Sequence, residues 1–219
     1  MSPAPTLPRM KRAYTDEVRR LAGRSMTQLG RTRLTPDALT AAGLGLSIAG
    51  AVAVYFEYVG WGFFLLGAAL FVVGSILDIL DGALARTRGL GTPFGAFLDS
   101  TVDRVGEGFV LGAIALVLVR DGETWAVAVT FAAVAGSFLV SYTRARAEAL
   151  GLKGDVGIGS RAERVVVITA GLVLAPLGAL PWAIAVLAAT AWVTVAQRIL
   201  AVRRQLQLGY AELQSRDRE

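Results

Sequence analysis

The sequence predicts an all-α integral membrane protein: six transmembrane helices preceded by an N-terminal amphipathic juxtamembrane helix. Three observations carry that expectation. Of 219 residues, 54% are hydrophobic and only 18% are charged, with mean hydropathy +0.56, whereas soluble domains are about a quarter charged. Six apolar runs approach the roughly 20 residues a helix needs to cross a bilayer. Basic residues collect on alternate sides of those runs, as the positive-inside bias requires.

Taken in order, residues 1–34 form a basic cytoplasmic segment with no apolar h-region, so they do not read as a secretion signal. Over residues 14–29, Val18, Leu21, Met26 and Leu29 interleave with basic side chains, the pattern of a helix lying on the inner leaflet. Residues 35–205 hold the six spans, and residues 206–219 make a polar cytoplasmic tail. The first span covers 36–58 and stops at Gly60. The second starts at Trp61 and keeps helical spacing through Arg86. The others cover 93–119, 125–150, 163–180 and 181–200. Tyr58, Trp61, Trp125 and Trp182 sit near span ends, where interfacial aromatics belong, and Glu57 reads as an interfacial charge beside them.

Orientation follows from the cations. Arg9, Lys11, Arg12, Arg19, Arg20, Arg24, Arg31 and Arg33 precede the first span. Arg86 and Arg88 follow the second, and Arg144, Arg146, Lys153, Arg161 and Arg164 lie between the fourth and fifth. The opposite loops hold Arg120 and no other basic residue. Both termini therefore face the cytoplasm, and the net charge of +5 reads as attraction to anionic lipid rather than to nucleic acid. Cysteine and histidine are absent. That excludes disulfides, thiolate metal sites, Ser-His triads and imidazole relays. Polar chemistry is left to carboxylates, guanidinium and ammonium groups, hydroxyls and the backbone.

The acids concentrate where the second and third spans meet the cytoplasm. Asp78 and Asp81 are three residues apart and share a helix face; Asp99 and Asp103, four apart, share a face of the next helix. Trp61 to Asp78 and Asp103 to Arg120 are each 17 steps, roughly 26 Å at the helical rise. Both pairs thus reach the inner edge of a core about 30 Å thick. Four carboxylates at one depth cannot all ionise without cations. Thiol-free, imidazole-free oxygen ligands suit Mg²⁺ or Mn²⁺, with Ca²⁺ also compatible. Two such ions are a common arrangement for displacement at phosphorus. Gly82, Ala85 and Gly95 keep the facing walls free of bulk, so that a phosphate or nucleotide can approach. The competing reading, helix-end charges neutralised by Arg86, Arg88 or Arg104, gives the acids no task.

The string Asp78-x2-Asp81-Gly82-x2-Ala85-Arg86-x8-Gly95-x3-Asp99-x3-Asp103 resembles the signature of CDP-alcohol phosphatidyltransferases. The resemblance implies six membrane helices and transfer of a phosphatidyl group from CDP-diacylglycerol to an alcohol, with release of CMP. It implies Asp78, Asp81, Asp99 and Asp103 as metal ligands, with Asp103 also the general base. It implies a CDP site lined by Gly82, Ala85, Arg86 and Gly95, with Asp37 of Thr35-Pro36-Asp37 standing where Asn is common in the family.

The stretch Ser141-Tyr142-Thr143-Arg144-Ala145-Arg146-Ala147-Glu148, followed by Arg161 and Arg164, is similar to the subgroup whose acceptor is myo-inositol 1-phosphate, the phosphatidylinositol-phosphate synthases. Arg144 replaces that subgroup's usual Lys. Asp99-Ser-Thr-Val-Asp103-Arg104 also looks more like this subgroup than like glycerophosphate-using relatives. The expected acceptor-phosphate residues are Arg144, Arg146, Arg161 and Arg164, joined by Arg198 from the sixth span. Guanidinium forks suit phosphate, although positive-inside topology alone would also place cations here. Expected partners are CDP-diacylglycerol, inositol 1-phosphate, membrane lipids and a second copy in a homodimer. Glycerol 3-phosphate is the alternative acceptor. A divalent-cation transporter is the rival class, and it would place its acids through the bilayer midplane.

Smaller features complete the reading. Glu107 continues the Asp99/Asp103 face as a neighbour of the metal ligands. Glu163 orients an arginine or begins the fifth helix, and Lys153 reads as a loop charge. Gly89-x-Gly91-x3-Gly95 follows no strand, so it is no dinucleotide fingerprint. Gly43, Gly45, Gly50, Gly108 and Gly112 read as close-packing positions.

Overall fold

Threonine–proline pairs open two of the helices that carry the charged residues. The Thr35 hydroxyl accepts from the Ala38 N–H at 3.2 Å, and that of Thr92 from the Gly95 N–H at 2.9 Å. In each case proline follows at the first helical position, where its missing N–H is not needed. Ser160 and Glu163 form a reciprocal capping box at a third start, so Glu163 begins a helix. The computed structural model describes residues 35–87 and 89–216; the amphipathic segment expected over 14–29 lies outside them. The described residues form α1 (Pro36–Tyr55), α2 (Gly62–Thr87), α3 (Pro93–Arg120), α4 (Thr124–Ala149), α5 (Arg161–Val173) and α6 (Leu180–Arg216). Single 3₁₀ turns cover Glu57–Val59 and Ala175–Leu177, and no strand occurs among the described residues.

Helix α1 packs on α2 and α3, α4 packs on α6 and α3, and α5 packs on α2 and α6. The α1–α2 contact is backbone-close. A Cβ on Gly43 would lie 2.9 Å from the Gly74 carbonyl oxygen, so a side chain there would force the helices apart. Gly50 makes a similar approach to Gly67, whereas Gly45 and Gly112 have open space where a Cβ would stand. Val54, Val110, Ile114, Val117, Ile168, Leu172, Ile184 and Leu187 are completely buried in the core. Large apolar side chains such as Phe131, Val166 and Trp182 are about two-thirds exposed, a surface suited to acyl chains rather than water.

Four helices, α1, α2, α4 and α6, are long and apolar enough to cross a membrane; this is a multi-pass membrane protein. Helix α3 has 28 residues, about 42 Å at the helical rise, but carries the charges of Asp99, Asp103, Arg104 and Glu107 between its start and its middle. The fifth span, expected over 163–180, is a 13-residue helix that stops at Val173. Pro176 has no N–H to continue the ladder, and a 3₁₀ turn replaces the last stretch. The sixth element, expected to end near residue 200, stays helical through Arg216, into the region expected to be a polar tail.

The elements sort chemically by end. At one end the Arg120 guanidinium donates to the Tyr55 carbonyl at 2.6 Å, pairs with Glu57 at 3.0 Å and lies over the rings of Tyr55 and Tyr58. Trp125 and Trp182 pack at the same end with ring centroids 5.3 Å apart. The aspartates gather at the other.

Candidate active site

Asp78 and Asp81 project from the last turns of α2, and Asp99 and Asp103 from the first turns of α3. One carboxylate oxygen each from Asp78, Asp99 and Asp103 lies within 4.8 Å of the others. The Arg161 guanidinium, from the first turn of α5, pairs with both Asp78 and Asp103. Arg104 stands at 3.4 Å from Asp103 and donates through Nε to the Ser141 hydroxyl of α4. Asp81 is only 2% exposed and turns toward α1. Thr40 donates its hydroxyl to Asp81 Oδ2, while Oδ1 is buried without a hydrogen-bond partner.

Two ligand oxygens bound at about 2.0 to 2.6 Å from one ion stand at most about 5 Å apart. The spacing of the three carboxylates fits a hard divalent cation on that measure. The orphaned Asp81 oxygen and the surplus of carboxylate over guanidinium fit it as well. Asp78, Asp99 and Asp103 could hold such an ion, with Asp81 reaching a neighbouring position.

Beside the carboxylates, α1, α2 and the start of α3 enclose a cavity of about 350 Å³. Its wall contains all five residues expected at a nucleotide site: Asp37, Gly82, Ala85, Arg86 and Gly95. It also contains Thr40 and the Leu90–Thr92 segment, which sequence reasoning missed. Thr40 had a signal, since it lies three residues from Asp37 on one face of α1.

The arginines divide into two kinds. Arg144 and Arg146 are exposed at the end of α4, with Arg144 paired to Glu148 at 2.9 Å, and Arg161 reaches the carboxylates. Arg164 and Arg198, also expected at the acceptor's phosphate, are buried with donors engaged. Arg164 grips both oxygens of Glu107 at 2.8 and 2.9 Å. Arg198 donates to the Val156 carbonyl at 2.9 Å and to the Val140 carbonyl. It thereby holds the α4–α5 loop against α4. That loop also needs Gly157, whose φ of +122° disfavours other residues and whose missing Cβ admits the Thr194 methyl. The Gly159 N–H donates to Thr194 at 2.8 Å. Lys153 is a loop residue whose backbone is held by Gln205.

A profile of the family described as CDP-alcohol phosphatidyltransferase matches residues 33–196, which contain the carboxylates, the cavity and all the site arginines above except Arg198. The chain belongs to that family. This CDP-alcohol phosphatidyltransferase is 41% identical over 182 residues to a phosphatidylinositol phosphate synthase of Mycolicibacterium smegmatis, covering 79% of each chain. The crystal structure of Mycobacterium tuberculosis phosphatidylinositol phosphate synthase with CDP-DAG bound superposes with TM-score 0.74 at 34% identity. It covers 84% of this chain and 94% of that one. A second structure of that synthase, in complex with manganese and citrate, gives TM-score 0.70 at 34% identity over 83% and 87% of the two chains. The chain is thus a membrane-embedded transferase of phospholipid synthesis, and its carboxylate centre is suited to a divalent metal.

Proposed function

We propose that this transferase moves the phosphatidyl group of CDP-diacylglycerol onto myo-inositol 1-phosphate, giving phosphatidylinositol phosphate and CMP. The observation that carries the reading is the meeting of Asp78, Asp99 and Asp103, of which Asp99 also lines the cavity formed with Asp37, Gly82, Ala85, Arg86 and Gly95. The phosphatidylinositol phosphate synthases described above support the same reaction.

In this reading the cavity holds the CDP portion. Gly82, Ala85 and Gly95 admit the pyrophosphate to close range, and Arg86 meets its charge. Asp78, Asp81, Asp99 and Asp103 would hold two Mg²⁺ ions, with Mn²⁺ an alternative. When bound, the ions supply neutralisation of the pyrophosphate and of the charge developing on the leaving CMP. Asp103 accepts the proton of the inositol hydroxyl as that oxygen attacks the β-phosphorus. The bond between the β-phosphorus and the bridging oxygen breaks, and CMP leaves with that oxygen. Arg161, with the exposed Arg144 and Arg146, receives the acceptor's phosphate, while Arg164 and Arg198 support that pocket from within.

All six helices belong to one membrane unit, residues 35–205, with α3 and the short α5 completing the crossings. The basic segment 1–34 and the tail 206–219 lie on the cytoplasmic side of the cell membrane. The working unit is a homodimer.

The test is CMP release by purified protein given CDP-diacylglycerol, Mg²⁺ and one acceptor at a time. Release is expected with inositol 1-phosphate, little with glycerol 3-phosphate or serine, and none with EDTA. Release with glycerol 3-phosphate alone overturns the acceptor assignment.

A further inference from the structure

Where the α4–α5 loop meets α6, the surface opens into a groove of about 470 Å³ that shares no residue with the nucleotide cavity. Val156 and Ile158 of the loop form one wall, and Gln197, Leu200, Ala201 and Arg204 of α6 form the other. The α6 residues recur at steps of three and four, so they make a single stripe along the helix. Two clamps fix the loop against α6 and give the groove its shape. Gln205 accepts from the Lys153 N–H at 3.0 Å and donates to the Lys153 carbonyl at 2.9 Å. Arg198 donates to the Val156 carbonyl at 2.9 Å.

Depth decides what can fill this groove. Helix α6 is long and apolar enough to cross the bilayer, and Trp182, packed on Trp125, marks its far boundary. Counting from Trp182, Gln197 is 15 residues on, Leu200 is 18 and Arg204 is 22, roughly 22, 27 and 33 Å at the helical rise. With a hydrocarbon core about 30 Å thick, the groove straddles the boundary at the carboxylate end. Leu200 and Ile158, each 52% exposed, offer apolar surface at the level of acyl chains. Arg204 stands at the level of lipid phosphates. Arg203 beside it and Lys153 on the clamped loop are exposed too. Among the described residues no carboxylate pairs with any of these three cations.

Gln197 is an independent sign. Its side chain is exposed at hydrocarbon depth and has no hydrogen-bond partner among the described residues. An amide facing hydrocarbon is costly unless something meets it. The ester carbonyls of a lipid seated in the groove are the acceptors that come closest to that depth.

We infer that the groove binds one anionic glycerophospholipid from the leaflet at the carboxylate end. Its phosphate meets Arg204, an ester carbonyl meets Gln197, and a chain lies along Leu200 and Ile158. Charge complementarity selects this occupant, since a zwitterionic lipid would bring its own cation to a rim that already holds three. Asp155 belongs to the same loop but does not line the groove. A lipid seated there fills the space between the loop and α6, and so steadies the segment that leads through Ser160 into α5. The inference rests on the placement of α6 in the membrane and not on which alcohol the enzyme uses.

The test is native mass spectrometry of full-length protein in detergent, titrated with phosphatidylglycerol or with phosphatidylcholine. The parent is expected to keep one phosphatidylglycerol per protomer, bound about tenfold more tightly than phosphatidylcholine. Arg204→Gln and Gln197→Leu are each expected to weaken phosphatidylglycerol about fivefold or more. Arg204→Lys, which keeps the charge, and Arg203→Gln, which loses one outside the groove, should change it less than about twofold. Equal losses in Arg203→Gln and Arg204→Gln overturn the inference, because they mark diffuse attraction to a basic face. Equal affinity of the parent for the two lipids overturns it as well. So does a variant that separates protomers without changing the lipid count, which assigns the groove to a second copy. CMP release in phosphatidylcholine nanodiscs, expected within twofold of the parent for every variant, checks folding. Should Arg204→Gln fail that check, Gln197→Leu, which only adds apolar surface facing lipid, still decides.

Discussion

Arg120 and Arg161 stand at opposite ends of the bundle, and each meets carboxylate, but their surroundings differ in balance. Arg120 has one acid, Glu57, plus a backbone carbonyl and two tyrosine rings; its charge and its donors are answered locally. Around Arg161 the count runs the other way. Asp78 and Asp103 both face it, Asp99 lies within 4.8 Å of them, and Asp81 keeps a buried oxygen with no partner. A closed set of charges ties α1 to α3 and has nothing left to offer a ligand. An unbalanced set retains binding capacity, and the imbalance is negative, which calls for a cation. The difference between the ends lies in how far their charges are satisfied.

Breaking the unbalanced end produces the largest effect. Asp103→Asn keeps the shape of the side chain but removes the base. CMP release is expected to fall by about 10³-fold or more, while CDP-diacylglycerol still binds with near-parent affinity in a lipid-binding assay. Full activity in that variant removes Asp103 as the proton acceptor. A smaller effect sharpens the same contrast. Thr40→Val keeps the bulk of the residue but removes the hydroxyl that holds Asp81 Oδ2, leaving that carboxylate free to turn. Mn²⁺ affinity, followed by electron paramagnetic resonance, is expected to fall about tenfold, as when an outer partner of a metal ligand is lost. Unchanged affinity places Asp81 outside the metal centre.

These two positions also mark what the sequence discloses. The aspartates were legible because each pair sits on one helix at a spacing that fixes its face, and the span lengths put both pairs at one depth. Four of the five cavity residues were legible through the same contiguous string, and Asp37 through Thr35-Pro36-Asp37. Thr40 and Asp81 are 41 residues apart, and Glu107 and Arg164 are 57 apart. Such pairings depend on how helices pack, which no local periodicity encodes. Arginine composition proved ambiguous for the same reason. Arg161 and Arg164 share one motif, yet one turn of helix separates a half-exposed guanidinium from one sealed on Glu107. Hydropathy does not mark the limits of α5 and α6: the apolar run continues through Pro176, where the helix cannot, and α6 continues beyond Leu200, where the apolar run ends.

The balanced end supplies the smallest effect and the control for the others. Arg120→Met removes two cation–π contacts, one ion pair and the hydrogen bond to the Tyr55 carbonyl while keeping an apolar stem of similar length. Cation–π contacts at exposed sites contribute about 0.5–1 kcal/mol each, and a partly exposed ion pair at most about 1 kcal/mol. The combined loss is then about 1–3 kcal/mol, seen as a drop of a few degrees in Tm. Both KM values and kcat are expected to stay within twofold of the parent, because Arg120 lies at the far end of α3 from Asp103, 17 residues away, about 26 Å along the helix. If Arg120→Met instead lowered kcat strongly at unchanged Tm, the two ends would be coupled through α3, and their division into a structural end and a reacting end would be wrong.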